Sequence, residues 1–158
     1  MTLDDEQNSA NLKWDTLFTL ELFTSGVLSG IAIPYTALKA AVTFLISSVI
    51  TSRNLDKIGT CDECAELVKI ELMRSNISGR HIRLETNAKN GVLGLIWDDG
   101  TEQQIATAGF HEAIVVNLGG EEVVFDNIYP QGKPYREWQM NLVVSPGNEL
   151  KLVKNELF

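Results

Sequence analysis

Residues 109–127 read GFHEAIVVNLGGEEVVFDN and carry the pattern of a β-hairpin. Two runs of β-forming residues lie on either side of Gly119 and Gly120, and glycines permit the positive φ angles that a tight hairpin turn requires. Pairing the two runs across this turn places His111 opposite residue 127, with an error of about one residue. The stretch therefore predicts two antiparallel strands. His111, at the start of the first strand, lies across from the end of the second strand.

The same hairpin predicts a base and the group that orients it. His111 stands at the start of the first strand, and Asp126 and Asn127 stand at the end of the second. Side chains directly opposite each other on an antiparallel pair have Cβ atoms about 4.5–5.5 Å apart, close enough for a carboxylate or an amide to orient an imidazole. We predict that His111 is a general base oriented by Asp126, with Asn127 as the alternative. The competing interpretation is an exposed histidine at a strand end beside an Asp-Asn turn.

Upstream of the hairpin, Thr60 to about Ser75 predicts a helix. Thr60 and Glu63 have the spacing of a capping box. The apolar residues that follow at helical spacing are Ala65, Leu67, Val68, Ile70, Leu72 and Met73. Cys61 then occupies the first helical position, where unpaired backbone N–H groups and the helix dipole stabilise a thiolate. Cys64 lies a turn deeper among apolar residues, so we predict Cys61 as the nucleophile and Cys64 as the alternative.

The segment before this helix predicts further helical structure. Pro34 can open a helix that covers residues 35 to about 52, and residues 12–23 weakly favour a helix. We therefore divide the chain into an N-terminal helical segment, residues 1–55, and a catalytic domain, residues 56–158.

Strand patterns dominate after the thiol helix. Period-two alternation around residues 82–84 and an apolar run at residues 92–97 predict two strands paired with each other. Residues 130–132 predict a turn, residues 135–138 a helical turn, and residues 142–144 and 150–153 short strands. We expect His81 at the surface. Helices followed by an antiparallel sheet predict an α+β fold.

Composition narrows the class of protein. The 158 residues are 44% hydrophobic and 22% charged, as in a globular domain. A net charge of −8 disfavours a nucleic-acid partner, because such binding depends on Lys and Arg. The apolar stretch at residues 35–50 spans 16 residues, short of the roughly 20 that cross a bilayer, so we expect a buried or partner-facing helix. Residues 1–6 are acidic, so we expect no cleaved export signal.

The order of thiol, histidine and carboxylate resembles that of the papain-like cysteine hydrolases. More narrowly, residues 60–65, 77–82, 109–111 and 125–132, together with Trp138, are similar to the papain-fold toxin domains of bacterial polymorphic toxin systems, particularly the second type. The resemblance covers roughly half of the chain. It implies a Cys-His-Asp site that needs no cofactor and acts on protein amide bonds as a peptidase or deamidase. It also implies a cognate immunity protein, and action in the cytoplasm or after delivery into a target cell.

Three other functions compete with the hydrolase. The Cys61-x-x-Cys64 pair suits a thiol-disulfide oxidoreductase, but residues 55–59 are short and polar where a buried strand should precede the motif. Zinc binding by both cysteines and both histidines is disfavoured, because His81 and His111 are 30 residues apart. The third alternative is a non-enzymatic interaction protein that docks through the helix at residues 35–50.

Overall fold

The computed structural model describes residues 34–87 and 95–158. Its helices are α1 (Tyr35–Ser52), α2 (Cys61–Arg74) and α3 (Tyr135–Asn141). Its strands are β1 (Arg80–Thr86), β2 (Ile96–Asp98), β3 (Gln103–Ala106), β4 (Phe110–Leu118), β5 (Glu121–Phe125), β6 (Lys133–Pro134), β7 (Leu142–Val144) and β8 (Leu150–Leu157). The predicted α+β class is confirmed, whereas the predicted helix at residues 12–23 lies outside the described residues.

The larger sheet carries the hairpin at its centre. Its strand order is β6-β5-β4-β1-β8, and neighbouring strands run antiparallel. The β4–β5 ladder extends from Leu118 paired with Glu121 to Ile114 paired with Phe125. Gly119 and Gly120 both have positive φ, as the turn requires. The predicted hairpin is confirmed. Its last pair is Ile114 with Phe125, so His111 has no partner on β5. The chain that follows β5 leaves the sheet beside that histidine.

Alternating side chains divide the core between the two faces of this sheet. The helix-side cluster packs α1 and α2 on one face and contains Val42, Ile46, Ile50, Leu55, Cys64, Ala65, Val68, Leu72, Ile114, Val116, Leu118, Val123 and Phe125. The strand-side cluster packs the smaller sheet and α3 on the other face and contains Ile82, Leu84, Ile96, Ile105, Ala106, Ala113, Val115, Val124, Trp138 and Leu142. The helix that carries both cysteines therefore packs directly on the predicted sheet.

Helix α1 contributes one face to the helix-side cluster through Val42, Ile46 and Ile50. By length and mean hydropathy, 1.3 over 18 residues, it could also cross a membrane, a test that the core helix of a soluble protein passes as well. The division of the chain after residue 55 stays a prediction. The packing shows that α1 and α2 share one core.

The predicted pairing of the two strands after α2 is wrong. Strand β1 pairs with β4 and β8, whereas β2 pairs with β3 and β7 in a three-stranded sheet of the order β3-β2-β7. Alternation identifies a strand and its buried face, but it does not identify the neighbour. Here β4 and β8 flank β1, and β8 comes from the C-terminal end of the chain.

Candidate active site

The cysteine helix begins where the sequence predicts, but its cap differs. Cys61 is the first residue of α2, and Thr60 precedes it. The Thr60 hydroxyl makes no capping bond; it lies within hydrogen-bond distance of two carbonyl oxygens in the preceding turn, Leu55 O at 2.6 Å and Lys57 O at 2.8 Å. The predicted capping box is therefore wrong, because the Thr60 hydroxyl is directed at the preceding turn and not at the N–H groups of α2. Backbone N–H groups in the first turn of α2 lack a side-chain cap from Thr60.

His111 and Asp126 form a buried pair. The ring nitrogen Nε2 of His111 lies 2.8 Å from Oδ2 of Asp126, and the two residues are 0% and 1% exposed. His111 sits near the start of β4, and Asp126 is the first residue after β5. The two side chains meet because the ladder stops at Ile114, which leaves room for the departing chain to turn toward the ring.

Four donors surround the Asp126 carboxylate. Besides His111, the indole N–H of Trp138 donates to Oδ2 at 3.0 Å. The backbone N–H groups of Ile128 and Tyr129 donate to Oδ1 at 2.9 and 2.6 Å. Burial by itself raises the pKa of Asp126, but these hydrogen bonds and the attraction of His111 outweigh it and keep that pKa below its ordinary value. The carboxylate is therefore charged at neutral pH.

The ring of His111 lies between this carboxylate and the Cys61 thiol. Burial lowers the pKa of His111, but bonding to Asp126 and then to Cys61 outweighs the burial and raises the pKa to about 9. Nε2 faces Asp126, so Nδ1 is the nitrogen left for the thiol, and it has no hydrogen bond of normal geometry to the described residues. Cys61 is 4% exposed. At neutral pH this arrangement favours an imidazolium next to sulfur.

The two alternative site residues lie elsewhere. Cys64 belongs to the helix-side cluster, and burial, followed by the charges of Asp126 and Cys61, raises its pKa to about 12. It is therefore a protonated core thiol at neutral pH. Asn127 is buried, but its amide nitrogen donates to Lys57 O at 2.6 Å rather than to His111. The structure thus brings Cys61, His111 and Asp126 together. Cys64 and Asn127 do not take part in the contacts among these three residues.

A second buried histidine escaped the sequence analysis. His81 is 2% exposed, so the expectation of a surface position is wrong. Its Nε2 lies 2.6 Å from Glu112, and Lys154 lies 3.2 Å from its Nδ1. The strand partner Ile114 places His81 on the helix side of the sheet, opposite to the face of His111. No local sequence signal points to this pair, because Glu112 and Lys154 lie on two other strands.

The part of the chain that the structure describes contains no cluster of three or more His, Cys, Asp or Glu side chains suited to a metal ion. Both cysteines are free thiols. The groups that meet at this site are the Cys61 thiol, the His111 imidazole and the Asp126 carboxylate.

These features define a class: an α+β domain of papain-like fold, in which a helix-start cysteine packs beside a histidine on an antiparallel sheet. The chain belongs to the papain fold toxin 2 family, whose model matches residues 44–143. It is thus a toxin domain with a papain-like fold, and the match spans the thiol, the histidine and the carboxylate. Comparison with curated proteins gave no match, and comparison with solved structures gave none either.

Proposed function

We propose that this domain is a cysteine hydrolase that acts on amide bonds in proteins, with Cys61 as nucleophile, His111 as general base and acid, and Asp126 as the residue that orients His111. The observation that carries the proposal is the buried hydrogen bond between His111 Nε2 and Asp126 Oδ2, on a ring that also contacts Cys61. A fixed carboxylate selects one orientation of the imidazole and leaves the other nitrogen for the thiol.

The reaction follows from the proton positions. With His111 protonated, Cys61 attacks the amide carbon as a thiolate, and the carbonyl oxygen becomes an oxyanion. Backbone N–H groups at the start of α2 are suited to stabilise that oxyanion. His111 then gives its Nδ1 proton to the leaving nitrogen, which departs as an amine or as ammonia and leaves a thioester. Water, deprotonated by His111, cleaves the thioester, releases the acid and returns the sulfur to its first state.

The substrate class follows from the family and the chemistry together. We propose a protein substrate that is either cleaved at a peptide bond or deamidated at a glutamine side chain, since both expose an amide carbon to the same nucleophile. We further propose that the domain works in the reducing cytoplasm of a target cell, where two free thiols persist. A cognate immunity protein is the proposed partner in the producing cell.

Access to the thiol sets a requirement on any substrate. Cys61 is 4% exposed and His111 is fully buried. A substrate segment must therefore displace neighbouring side chains before its carbonyl can reach the sulfur. We expect a small amide to be a poor substrate, because it offers little binding energy for that displacement.

Mass spectrometry of a sensitive cell's proteome tests the proposal. Exposure to the wild-type domain should give new peptide termini or the gain of about 1 Da that accompanies glutamine deamidation, the replacement of an amide by an acid. Cys61→Ser and His111→Ala should each abolish these products. Cys64→Ala is the matched control, since it removes the other thiol and should keep the products.

Two outcomes would overturn the assignment. Activity that survives His111→Ala and depends on both cysteines would indicate a thiol-disulfide oxidoreductase instead. Toxicity that survives both Cys61→Ser and His111→Ala would indicate a binding protein without hydrolase activity.

A further inference from the structure

We propose that Asn127 is a positioning residue that fixes the turn before Cys61, so that the thiol stays against His111. The inference rests on the proposed function only in giving Cys61 and His111 their catalytic roles. It assigns to Asn127 a task different from orienting the imidazole.

The contact that suggests this role joins two distant parts of the chain. The side-chain nitrogen of Asn127 donates to the backbone oxygen of Lys57 at 2.6 Å, across 70 positions in sequence. Lys57 lies four residues before Cys61. Asn127 itself is 1% exposed, so the donor of this part-buried hydrogen bond is shielded from competing water.

The turn at residues 55–60, which receives this bond, is otherwise held by hydrogen bonds among its own residues. The Thr60 hydroxyl lies within hydrogen-bond distance of the oxygens of Leu55 and Lys57, and the Thr60 backbone N–H reaches Lys57 O at 3.4 Å. Those bonds shape the turn but do not attach it to the sheet. Among these hydrogen bonds, the one from Asn127 ties the turn to the segment that leaves β5.

Two residues adjacent in sequence, Asp126 and Asn127, therefore position the imidazole and the thiol. Asp126 contacts His111, and Asn127 contacts the turn that leads into Cys61. A planar, stiff peptide bond joins these two residues. Movement of the start of α2 away from His111 would therefore stretch the bond from Asn127 or rotate the peptide that carries Asp126. The distance between sulfur and imidazole depends on this short link more than on the long path through the core.

Asn127→Ala isolates the positioning effect with little damage expected to the fold. Lys57 O keeps its Thr60 donors in the variant, and the side-chain oxygen of Asn127 has no hydrogen-bond partner among the described residues. The substitution thus leaves no newly unpaired buried group. Asn117→Ala is the matched control, because that amide lies in the exposed hairpin turn, where its oxygen accepts from the Gly120 N–H.

The test uses the full chain and two readouts that need no substrate. The first is the rate at which iodoacetamide alkylates Cys61 near neutral pH, mapped by mass spectrometry. It should fall by about two- to tenfold in Asn127→Ala, the range that corresponds to the loss of one neutral hydrogen bond, and stay unchanged in Asn117→Ala. The second is an NMR titration of His111, whose pKa should fall in Asn127→Ala yet stay above that in Asp126→Asn, because only the contribution of Cys61 is weakened.

The outcomes separate this inference from the proposed function. If His111→Ala leaves the alkylation rate of Cys61 unchanged, the proposed hydrolase site is wrong. If His111→Ala slows alkylation and Asn127→Ala does not, the site stands and the positioning role of Asn127 is rejected. Should Asn127→Ala fail to fold, Asn127→Asp, which keeps the shape and loses the donor when ionised, replaces it. Failure of both to fold would also reject the role, since Asn127 would then be a folding determinant.

Discussion

At the scale of single residues, the Asp126 carboxylate is the centre of the site. A buried carboxylate is costly unless donors surround it, and here His111, Trp138 and two backbone N–H groups do so. The bonds from His111, Tyr129 and Trp138 lower the pKa of Asp126, and the negative charge that results raises the pKa of His111. The donors therefore control the base indirectly, through the charge that they stabilise.

Trp138→Phe tests this indirect control. Phenylalanine keeps an aromatic ring in the strand-side cluster but loses the N–H that donates to Asp126 at 3.0 Å. The pKa of Asp126 should rise, so the acid limb of the pH–activity profile should move to higher pH. Activity near neutral pH should fall by about tenfold, and stability by about 1–3 kcal/mol, from the lost hydrogen bond and the space left by the indole.

The matched control is Trp97→Phe, the same substitution at a side chain that is 40% exposed. It should leave both the pH profile and the midpoint of urea unfolding near the wild-type values. A Trp138→Phe variant that loses stability while its acid limb stays in place would show that the indole only fills space.

The sequence predicts part of this residue-scale chemistry. The symmetry of a two-glycine hairpin is enough to bring His111 near Asp126, since strand pairing is periodic. It does not predict the bond from Trp138 or that from Asn127 to Lys57, because both depend on the path of the irregular segment after β5. His81 was misplaced for a related reason: its partners Glu112 and Lys154 lie on two other strands, and no local pattern identifies them.

At the scale of elements, the turn between β5 and β6 determines where Asp126 points. Gly132 has a φ of 78°, and its backbone N–H donates to Tyr129 O at 3.0 Å. A Cβ atom at this position would lie 2.7 Å from both Phe125 and Val123. The turn therefore packs against the strand that it leaves, and only glycine fits there without movement of the neighbours.

Gly132→Ala should lower the free energy of unfolding by about 2–4 kcal/mol, from the strained φ and the steric clash together. Gly147→Ala is the matched control: its φ is 82°, but a Cβ atom there would meet nothing within 4 Å. It should cost only the conformational part, about 1–2 kcal/mol. Urea denaturation of both variants measures the difference, and equal losses would show that the turn is not packed as described.

The extents of the helices are more predictable than their caps and the strand partners. Pro34 and the apolar pattern after it gave α1 correctly, and the pattern after Thr60 gave α2. The capping box failed because the Thr60 hydroxyl contacts the turn before it. Strand β1 was found from its alternation, yet its neighbour β8 lies about 70 residues away in sequence. Local patterns report burial, whereas pairing depends on the whole topology.

At the scale of the whole molecule, the site lies at the five-stranded sheet, whose two faces pack against the helix-side and strand-side clusters. The helix-side cluster positions α2 and Cys61, and the strand-side cluster contains Trp138, which contacts Asp126. His111 stands on the strand that both clusters share. Its protonation state is thus coupled to the packing of the whole domain. The free energy of unfolding should therefore change when His111 gains or loses its proton.

That coupling predicts how stability changes with pH. The pKa of His111 rises from 6.5 to about 9 on folding, so the folded chain binds the proton more tightly than the unfolded chain. This contribution is fully present below pH 6.5 and is lost as the pH rises through about 9, with a slope of at most about 1.4 kcal/mol per pH unit. Cys64, whose pKa rises from 9.0 to about 12, adds a loss in the same direction, but only above pH 9.

Urea unfolding from pH 6 to pH 9, the window of the His111 shift, measures the effect. The wild type should lose stability steadily across this window, and Cys64→Ala should show the same slope up to about pH 8, because the unfolded Cys64 thiol, with a pKa of 9.0, titrates only at the upper end of the window. Asp126→Asn should be less stable and nearly flat, since its histidine no longer has the carboxylate that raises its pKa. A wild-type profile that is level or rises over this range would mean that folding does not stabilise the imidazolium. The ion pair between His111 and Asp126 would then be rejected.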